Sequence, residues 1–189
     1  WLANQGYIVA CPNYRGSIGF GVEYMNAGAQ GQAGQTDLDD IFSVANHIKS
    51  LSYIASEKLG ITGRSWGGYM TLMAITHQPD MFQCAVAHAA IYNWTVQQAE
   101  EDCRQYSYWL YGGWANEQTE LYAQRSPITF AANIKTPLSI THGKADVNVP
   151  VIQVDDFLSK ARAAGVRLEY RFYEGEGHGF RQAENIIDY

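Results

Sequence analysis

Short apolar runs alternate with helical patterns along this 189-residue chain, and the alternation narrows the possible folds sharply. Most of the runs are apolar throughout, which is typical of strands buried on both faces of a parallel sheet. The last run, LEYRFY, alternates between apolar and polar side chains and therefore indicates a strand nearer an edge. The predicted strands are residues 7–11, 59–62, 84–90, 137–141 and 168–173.

Helical patterns separate these runs. Thr36 is a predicted N-cap, followed by aspartates in the first turn and by apolar residues at helical spacing as far as Leu51. Further helices are predicted at residues 66–77 and 152–164, and residues 93–125 are interpreted as helices and loops above the sheet. The pattern predicts an α/β fold, a mostly parallel sheet flanked by helices in one domain.

The composition argues against several classes of protein. Acidic residues outnumber basic ones by 19 to 13, the net charge is −6, and no basic patch stands out. A nucleic-acid partner is therefore not expected. The longest apolar runs are far shorter than the roughly 20 residues that span a bilayer, so no membrane association is expected.

The three cysteines are Cys11, Cys84 and Cys103. Their odd number and irregular spacing are not the pattern of a disulfide framework or a zinc site, and no metal site is predicted. Cys11 and Cys84 stand inside apolar runs and are predicted to be small core residues. This cysteine usage favours a reducing compartment, so a cytoplasmic location is expected.

A G-x-S-x-G motif lies between a predicted strand and a predicted helix. The motif GRSWG at residues 63–67 follows the run at 59–62 and is followed by Gly68. A strand that turns sharply into a helix exposes a serine at the carboxyl edge of the sheet, and glycines leave room for the crowded backbone. The helix N-terminus stabilises developing negative charge. Ser65 is therefore predicted to be a catalytic nucleophile.

A serine nucleophile needs a base to take its proton, and four histidines follow Ser65 along the chain. His77 ends the nucleophile's own helix and should point away, and His88 stands inside a predicted strand as a core residue. His142 ends the fourth predicted strand and is expected to shape the turn there. His178 lies in the glycine-rich loop GEGHGF beyond the last strand, and it is the predicted base.

Asp146 lies on the loop after the fourth predicted strand, one strand away from His178. A carboxylate there accepts a hydrogen bond from the imidazole and holds the useful tautomer. Asp155 and Asp156 are rival acids in the following helix, and Glu174 is close to His178 along the chain. The order of serine, aspartate and histidine along the chain is that of α/β hydrolases.

Four stretches carry a family resemblance: NYRGSIGFG at residues 13–21, GRSWGGYM at 63–70, His142-Gly143 with Asp146, Val149 and Pro150, and GEGHGF at 175–180. Together they resemble the catalytic domain of the prolyl oligopeptidase family of serine peptidases, especially its acylaminoacyl-peptidase and dipeptidyl-peptidase branches. The resemblance covers essentially the whole chain, and Trp66 stands where the family often has Tyr.

The resemblance implies an α/β-hydrolase fold with Ser65, Asp146 and His178 as the triad. It implies the backbone N–H of Trp66 as an oxyanion donor, and peptide or acyl-peptide substrates cleaved through an acyl-enzyme without a cofactor. Asn148 resembles a position that contacts substrate in the dipeptidyl branch.

Aromatic residues in the segment 93–114 resemble those lining the family's pocket for the residue before the cleaved bond. Core packing is an equal alternative for each candidate, which are Tyr108, Trp109, Tyr111 and Trp114. Arg15 resembles a structural charge paired with Asp37 or Asp40.

Residues 1–6 resemble the end of the first major helix of the family's hydrolase domain, so residues 1–189 are expected to be one N-terminally truncated domain without the family's β-propeller. A missing strand would lie between the runs at 7–11 and 59–62, and a missing loop would supply a second oxyanion donor. The open sheet is expected to have a gap, to re-pair, or to take a strand from a second copy in a homo-oligomer. Alone, the chain is expected to be weakly active or inactive.

Two alternatives to a peptidase remain open. A carboxylesterase on the same fold would use the same triad, since esters are the easier acyl substrates. A hydrolase-like interaction module would keep the three residues without using them.

Overall fold

A computed structural model describes residues 1–188 of the chain. Four parallel strands form one sheet in the order β1-β2-β3-β4. The strands are β1 Gly60–Arg64, β2 Cys84–His88, β3 Leu138–Gly143 and β4 Leu168–Tyr173. The helices are α1 Val22–Asn26, α2 Thr36–Ser50, α3 Trp66–His77, α4 Trp94–Glu100, α5 Arg104–Tyr111, α6 Thr119–Gln124, α7 Ile152–Ala163 and α8 Ala183–Asp188, with 3₁₀ segments at Leu2–Gln5 and Pro127–Asn133.

Helical crossovers connect each pair of neighbouring strands. α3 joins β1 to β2, α4 to α6 lie between β2 and β3, and α7 joins β3 to β4. Because the strands are parallel, their carboxyl ends meet at one edge of the sheet, which is where open α/β sheets bind ligands. The loops after β1, β3 and β4 leave from that edge, and they carry Ser65, Asp146 and His178.

The central helix α3 is buried along nearly its whole length. Every residue from Gly68 to Thr76 is buried, as expected for a helix that is apolar on all sides. The helix packs against β1, β2, α2 and the 3₁₀ segment Pro127–Asn133. The predicted helix at residues 66–77 is confirmed. Because this helix is held in the core, it fixes the position of Ser65, the residue directly before it.

Residues 7–11 do not form a strand, so this prediction is wrong. Within residues 1–188 the sheet begins at β1, and no strand pairs with the segment. An apolar run becomes a strand only where a neighbour completes its backbone hydrogen bonds. Tyr7, Ile8 and Val9 are instead between 50 % and 62 % exposed.

Two smaller predictions also differ from the structure. Thr36 is the first residue of α2 and Gln35 is the N-cap; the Thr36 hydroxyl donates to the Ala27 carbonyl at 3.0 Å. Cys11 and Cys84 are exposed, not buried. Cys11 lies in the unpaired segment, and Cys84 is the first residue of β2, whose second residue faces the core.

The edge position of the last strand and the helix before Gly165 are confirmed, while the bounds of the other three strands differ from the predicted ones by up to two residues. β4 is an outer strand of the sheet, as its alternating pattern predicts, and β1 is the other outer strand. α7 ends one residue before the predicted boundary, and Gly165 follows it with a φ of 78°, a left-handed conformation that favours glycine. None of the described helices combines the length and apolarity needed to cross a bilayer.

Candidate active site

Ser65 lies in a strained turn between β1 and α3. Its backbone has a φ of 57° and a ψ of −118°, a conformation that residues other than glycine rarely adopt. The Ser65 N–H donates to the His88 carbonyl at 2.9 Å, which ties the turn to β2. Such strain persists only where the surrounding structure enforces it. The turn presents the serine hydroxyl above the carboxyl edge of the sheet.

Two glycines make this turn possible. A Cβ on Gly63 would lie 2.3 Å from the carbonyl carbon of Gly67. A Cβ on Gly68 would lie 2.7 Å from the carbonyl oxygen of His88. A Cβ on Gly67 would have no neighbour within 4 Å. The predicted need for glycine is therefore confirmed at Gly63 and Gly68, but not at Gly67.

Gly63→Ala is expected to lower the free energy of unfolding by about 1–3 kcal/mol, because the turn must open to admit the methyl group. Gly67→Ala is the matched control. It adds the same methyl group inside α3, where alanine is the better helix former by roughly 1 kcal/mol. Urea unfolding of both variants measures the difference, and equal losses would contradict the steric argument.

His178 bridges Ser65 and Asp146. His178 Nε2 lies 2.8 Å from Ser65 Oγ, and His178 Nδ1 lies 2.8 Å from Asp146 Oδ2. Because a carboxylate only accepts hydrogen bonds, Nδ1 carries the ring hydrogen of the neutral imidazole. Nε2 then faces the serine hydroxyl with its lone pair, in position to accept a proton. The structure therefore brings together the three residues that the sequence singles out.

The Asp146 carboxylate is buried among donors. Oδ1 accepts the backbone N–H groups of Asn148 at 3.0 Å and Val149 at 2.9 Å. Oδ2 accepts from His178 and lies 3.4 Å from His142 Nε2. Burial alone would raise the pKa of Asp146, but the hydrogen bonds from His142, His178 and Val149 hold the pKa well below its ordinary value. Asp146 is therefore ionised whenever the protein is near neutral pH.

The three other histidines that follow Ser65 have different ring partners, although His142 also supports Asp146 from behind the site. His142 Nε2 is 2.9 Å from the Val149 carbonyl, so it carries a hydrogen and braces the turn after β3, as the sequence predicts. His88 is buried, and its Nδ1 lies 2.7 Å from Thr141 Oγ1. His77 packs against Phe130 at the far end of α3.

Arg64 is a site residue that the sequence analysis missed. Its side chain, at the first variable position of the motif, donates to the His178 carbonyl from Nη2 at 2.6 Å and from Nε at 3.2 Å. It ties the end of β1 to the loop that carries the imidazole. The motif alone gives no signal for this contact, because it depends on where a distant loop lies.

Glu176 anchors the same loop from its other side. It is 1 % exposed, and its carboxylate accepts the N–H groups of Arg181 at 2.8 Å and Gln182 at 3.0 Å and the Asn185 amide at 2.8 Å. Hydrogen bonds led by that from Asn185 lower the pKa of Glu176. The signal available in the sequence was an acid between two glycines. Its burial, which makes several donors necessary, is visible only in the fold.

Trp66 is the first residue of α3, and its N–H has no acceptor within the helix because the preceding turn does not exist. Its indole Nε1 donates to Asp37 Oδ2 at 3.0 Å. Arg15 pairs with Asp40, one of the two predicted partners, with Nη2 2.8 Å from Oδ1. Asp37 and Asp40, two of the three aspartates at the start of α2, therefore have separate partners.

Asn148 lies beside the three central residues. Its N–H contacts Asp146, its side-chain amide donates to Asp102 at 2.9 Å, and its carbonyl accepts from Gln97 at 2.7 Å. The side chain is exposed. These contacts place Asn148 next to Asp146, with its amide donating to Asp102, and the predicted substrate contact of Asn148 stays a prediction.

The two predicted tyrosines differ in their placement. Tyr108 is 43 % exposed and packs against Trp114, with ring centroids 4.9 Å apart. Tyr111 is only 2 % exposed and packs against Trp94 and Tyr122. The prediction of Tyr111 as a substrate contact is therefore corrected. Tyr111 lies on the same buried face of α5 as Ser107 and Leu110, so its ring packs in the core.

Potential metal ligands are scattered across the described residues. Their His, Cys, Asp and Glu side chains do not form a group of three that could hold a metal ion. The candidate site consists of the serine, histidine and aspartate with their supporting hydrogen bonds.

Three relatives illustrate what the chain is similar to. Dipeptidyl-peptidase 5 of Porphyromonas endodontalis is 33 % identical over 190 residues, which cover 98 % of this chain and 27 % of that protein. Dipeptidyl aminopeptidase BIII of Pseudoxanthomonas mexicana is 32 % identical, covering 98 % of this chain and 28 % of that protein. The structure of a puromycin-hydrolyzing peptidase of Mycobacterium tuberculosis is 30 % identical with a TM-score of 0.87, covering 93 % of this chain and 27 % of that one.

The chain spans little more than a quarter of the length of these relatives. Its parallel sheet, crossover helices and strand-to-helix serine turn are those of the α/β-hydrolase fold. Across residues 1–189 it matches the family described as the prolyl oligopeptidase family. This chain therefore belongs to the prolyl oligopeptidase family.

Proposed function

We propose that the chain carries the catalytic machinery of a serine peptidase that cleaves peptide or acyl-peptide bonds through a Ser-Asp-His triad. The observation that carries the proposal is the continuous hydrogen-bonded chain from Ser65 through His178 to Asp146, with both bonds 2.8 Å long. Residues 1–189 are proposed to form one partial α/β-hydrolase domain. Relatives named as dipeptidyl peptidases support a peptide substrate.

The proposed reaction is acyl transfer. His178 Nε2 takes the hydroxyl proton as Ser65 Oγ attacks the carbonyl carbon, and Asp146 stabilises the imidazolium that forms. Collapse of the tetrahedral intermediate breaks the C–N bond, and the imidazolium gives its proton to the leaving amine. Water then attacks the acyl-enzyme ester with His178 again as base. This step releases the acid and restores the serine hydroxyl.

The Trp66 N–H is the proposed oxyanion donor. It follows the nucleophile directly and lies at the positive end of α3, where a developing negative charge is stabilised. Removal of one such donor typically costs about 10²–10³ in rate. Only proline at position 66 would remove this N–H, and it would also remove the indole that donates to Asp37, so the triad offers the more direct tests.

A fluorophosphonate probe and a peptidyl p-nitroanilide test the proposal on the whole protein. We expect the probe to label Ser65, identified by mass spectrometry, and to stop release of nitroaniline. Hydrolysis of a p-nitrophenyl ester without any nitroanilide turnover would favour a carboxylesterase instead. Failure of both the labelling and the turnover would favour a hydrolase-like module and overturn the proposal.

Arg64→Met is expected to lower kcat/KM for the nitroanilide by about 10–100-fold. Without the two hydrogen bonds to the His178 carbonyl, the imidazole shifts from Ser65, and small displacements of catalytic groups can cost about 10²-fold. Arg64→Lys is the matched variant, because it keeps a positive charge and a donor. Its kcat/KM should fall less than that of Arg64→Met. Wild-type kcat/KM in the methionine variant would show that the contact does not position His178.

A further inference from the structure

A cavity of about 270 Å³ lies beside Trp66. We name it the Asp37 cavity, and its lining includes Tyr14, Asp37, Trp66, Tyr106 and Trp109. Pockets for drug-sized ligands occupy about 300–1,000 Å³, so this cavity has the size for one side chain. Four of its twelve lining residues are aromatic, and the charged ones are Asp37 and Arg15.

Among the described residues, the acid of the cavity lacks a cationic partner. Asp37 is 1 % exposed, and its carboxylate accepts from Trp66 Nε1 and the Leu38 N–H, each at 3.0 Å. Among residues 1–188 no lysine, arginine or histidine forms a salt bridge with it. Arg15 also borders the cavity, but its guanidinium is committed to Asp40 through Nε at 3.0 Å and Nη2 at 2.8 Å.

Burial makes the unpaired charge of Asp37 costly. It raises the pKa of Asp37 to about 6, against the lowering effect of the Trp66 and backbone hydrogen bonds. Four tyrosines also lie near this carboxylate, and burial, with a contribution from the Asp37 charge, raises the pKa of each, so they stay neutral. A phenol has no cationic form and cannot balance the charge of Asp37. The four are Tyr14, Tyr69, Tyr106 and Tyr111. A cation entering the cavity would offset the cost of the buried charge.

Trp66 links the cavity to the proposed chemistry. Its backbone N–H is the proposed oxyanion donor, and its indole forms a wall of the cavity. The cavity therefore shares a residue with the proposed oxyanion site, and that residue directly follows Ser65 in the chain. Aromatic faces attract cations, and a carboxylate forms charge-assisted hydrogen bonds with them.

We propose that the Asp37 cavity binds the positively charged side chain of the substrate residue whose carbonyl is cleaved, so that lysine or arginine is preferred there. This inference rests on the proposed peptidase function. The simpler reading is that Asp37 only holds the Trp66 indole. In that case Asp37→Asn would lower kcat/KM for charged and uncharged substrates by the same factor. A cation site requires instead that the ratio of the two kcat/KM values changes.

Two peptidyl p-nitroanilides that end in arginine or in citrulline test the proposal, because citrulline has nearly the shape of arginine without its charge. We expect kcat/KM for arginine to exceed that for citrulline by about 10-fold or more at pH 8, the size of a charge-assisted hydrogen bond. The ratio should fall toward one in Asp37→Asn. It should also fall in the wild type as the pH drops through about 6, since protonation removes the negative charge of Asp37.

Asp39→Asn is the matched control, because Asp39 is an exposed acid in the same first turn of α2 and outside the cavity. It should keep the arginine-to-citrulline ratio of the wild type. A wild-type ratio near one, or a high ratio that survives in Asp37→Asn, would overturn the inference.

Binding of 4-aminobenzamidine, detected through the fluorescence of this probe, tests the cavity without turnover. This amidinium should bind the wild type and Asp39→Asn, and its affinity should fall about 10-fold or more in Asp37→Asn. Binding that is absent, or equally strong in Asp37→Asn, overturns the inference. Intact binding with no cleavage of either nitroanilide supports the cation site and counts against the proposed peptidase function alone.

Discussion

Ser65→Ala is expected to lower kcat for a peptidyl p-nitroanilide by about 10⁶-fold while leaving the fold intact. Alanine keeps the Cβ of serine, so the strained backbone with its φ of 57° costs the same in both proteins. What disappears is the oxygen 2.8 Å from His178 Nε2, and with it the acyl-enzyme. Residual activity would come only from substrate binding and oxyanion stabilisation.

Non-additivity makes this prediction specific to a triad. His178→Ala should lose about as much kcat as Ser65→Ala, and the double variant should lose no more than either one, because the residues act as a unit. Ser43→Ala, at an exposed serine on α2, is the matched control and should keep wild-type kcat. Losses that multiply in the double variant would show that the two side chains work independently.

The elements that the sequence predicts best are those with the strongest local patterns. Helix α3 has the predicted bounds, because an apolar segment between a glycine-rich turn and Pro79 has few other ways to bury itself. Strand β4 also has its predicted bounds, Leu168–Tyr173, since alternation over six residues identifies an edge strand. The meeting of Ser65, Asp146 and His178 follows from topology, because parallel strands deliver their loops to one edge.

The features that the sequence does not predict depend on distant partners. The segment 7–11 has the composition of a strand, but pairing decides whether an apolar run becomes one. Tyr111 and Tyr108 lie on the same short helix, and only the packing of α5 shows which of them faces the core. The Arg64 contact with His178 joins residues 114 apart, a distance at which a motif carries no information.

Asp146→Asn is expected to lower kcat by about 10⁴-fold, through the tautomer of His178 rather than through a shift in position. The N–H groups of Asn148 and Val149 point at Oδ1 of residue 146, so the amide oxygen of asparagine takes that place. Its NH₂ group must then face His178 Nδ1. The imidazole would accept there, carry its hydrogen on Nε2, and present a donor to Ser65 where the reaction needs an acceptor.

The loss must be separated from unfolding, because the lowered pKa of Asp146 means that its carboxylate stabilises the folded protein above its unfolded pKa of about 3.9. This contribution is present at pH 7 and is lost as the pH falls. Circular dichroism at pH 7 should therefore show that Asp146→Asn is folded under the conditions of the kinetic assay. Asp155→Asn, at the rival acid on α7, is the matched control and should keep kcat within about 3-fold, as surface changes away from a site do. A large loss in Asp155→Asn with a small one in Asp146→Asn would transfer the orienting role to α7, and with it the assignment of the triad.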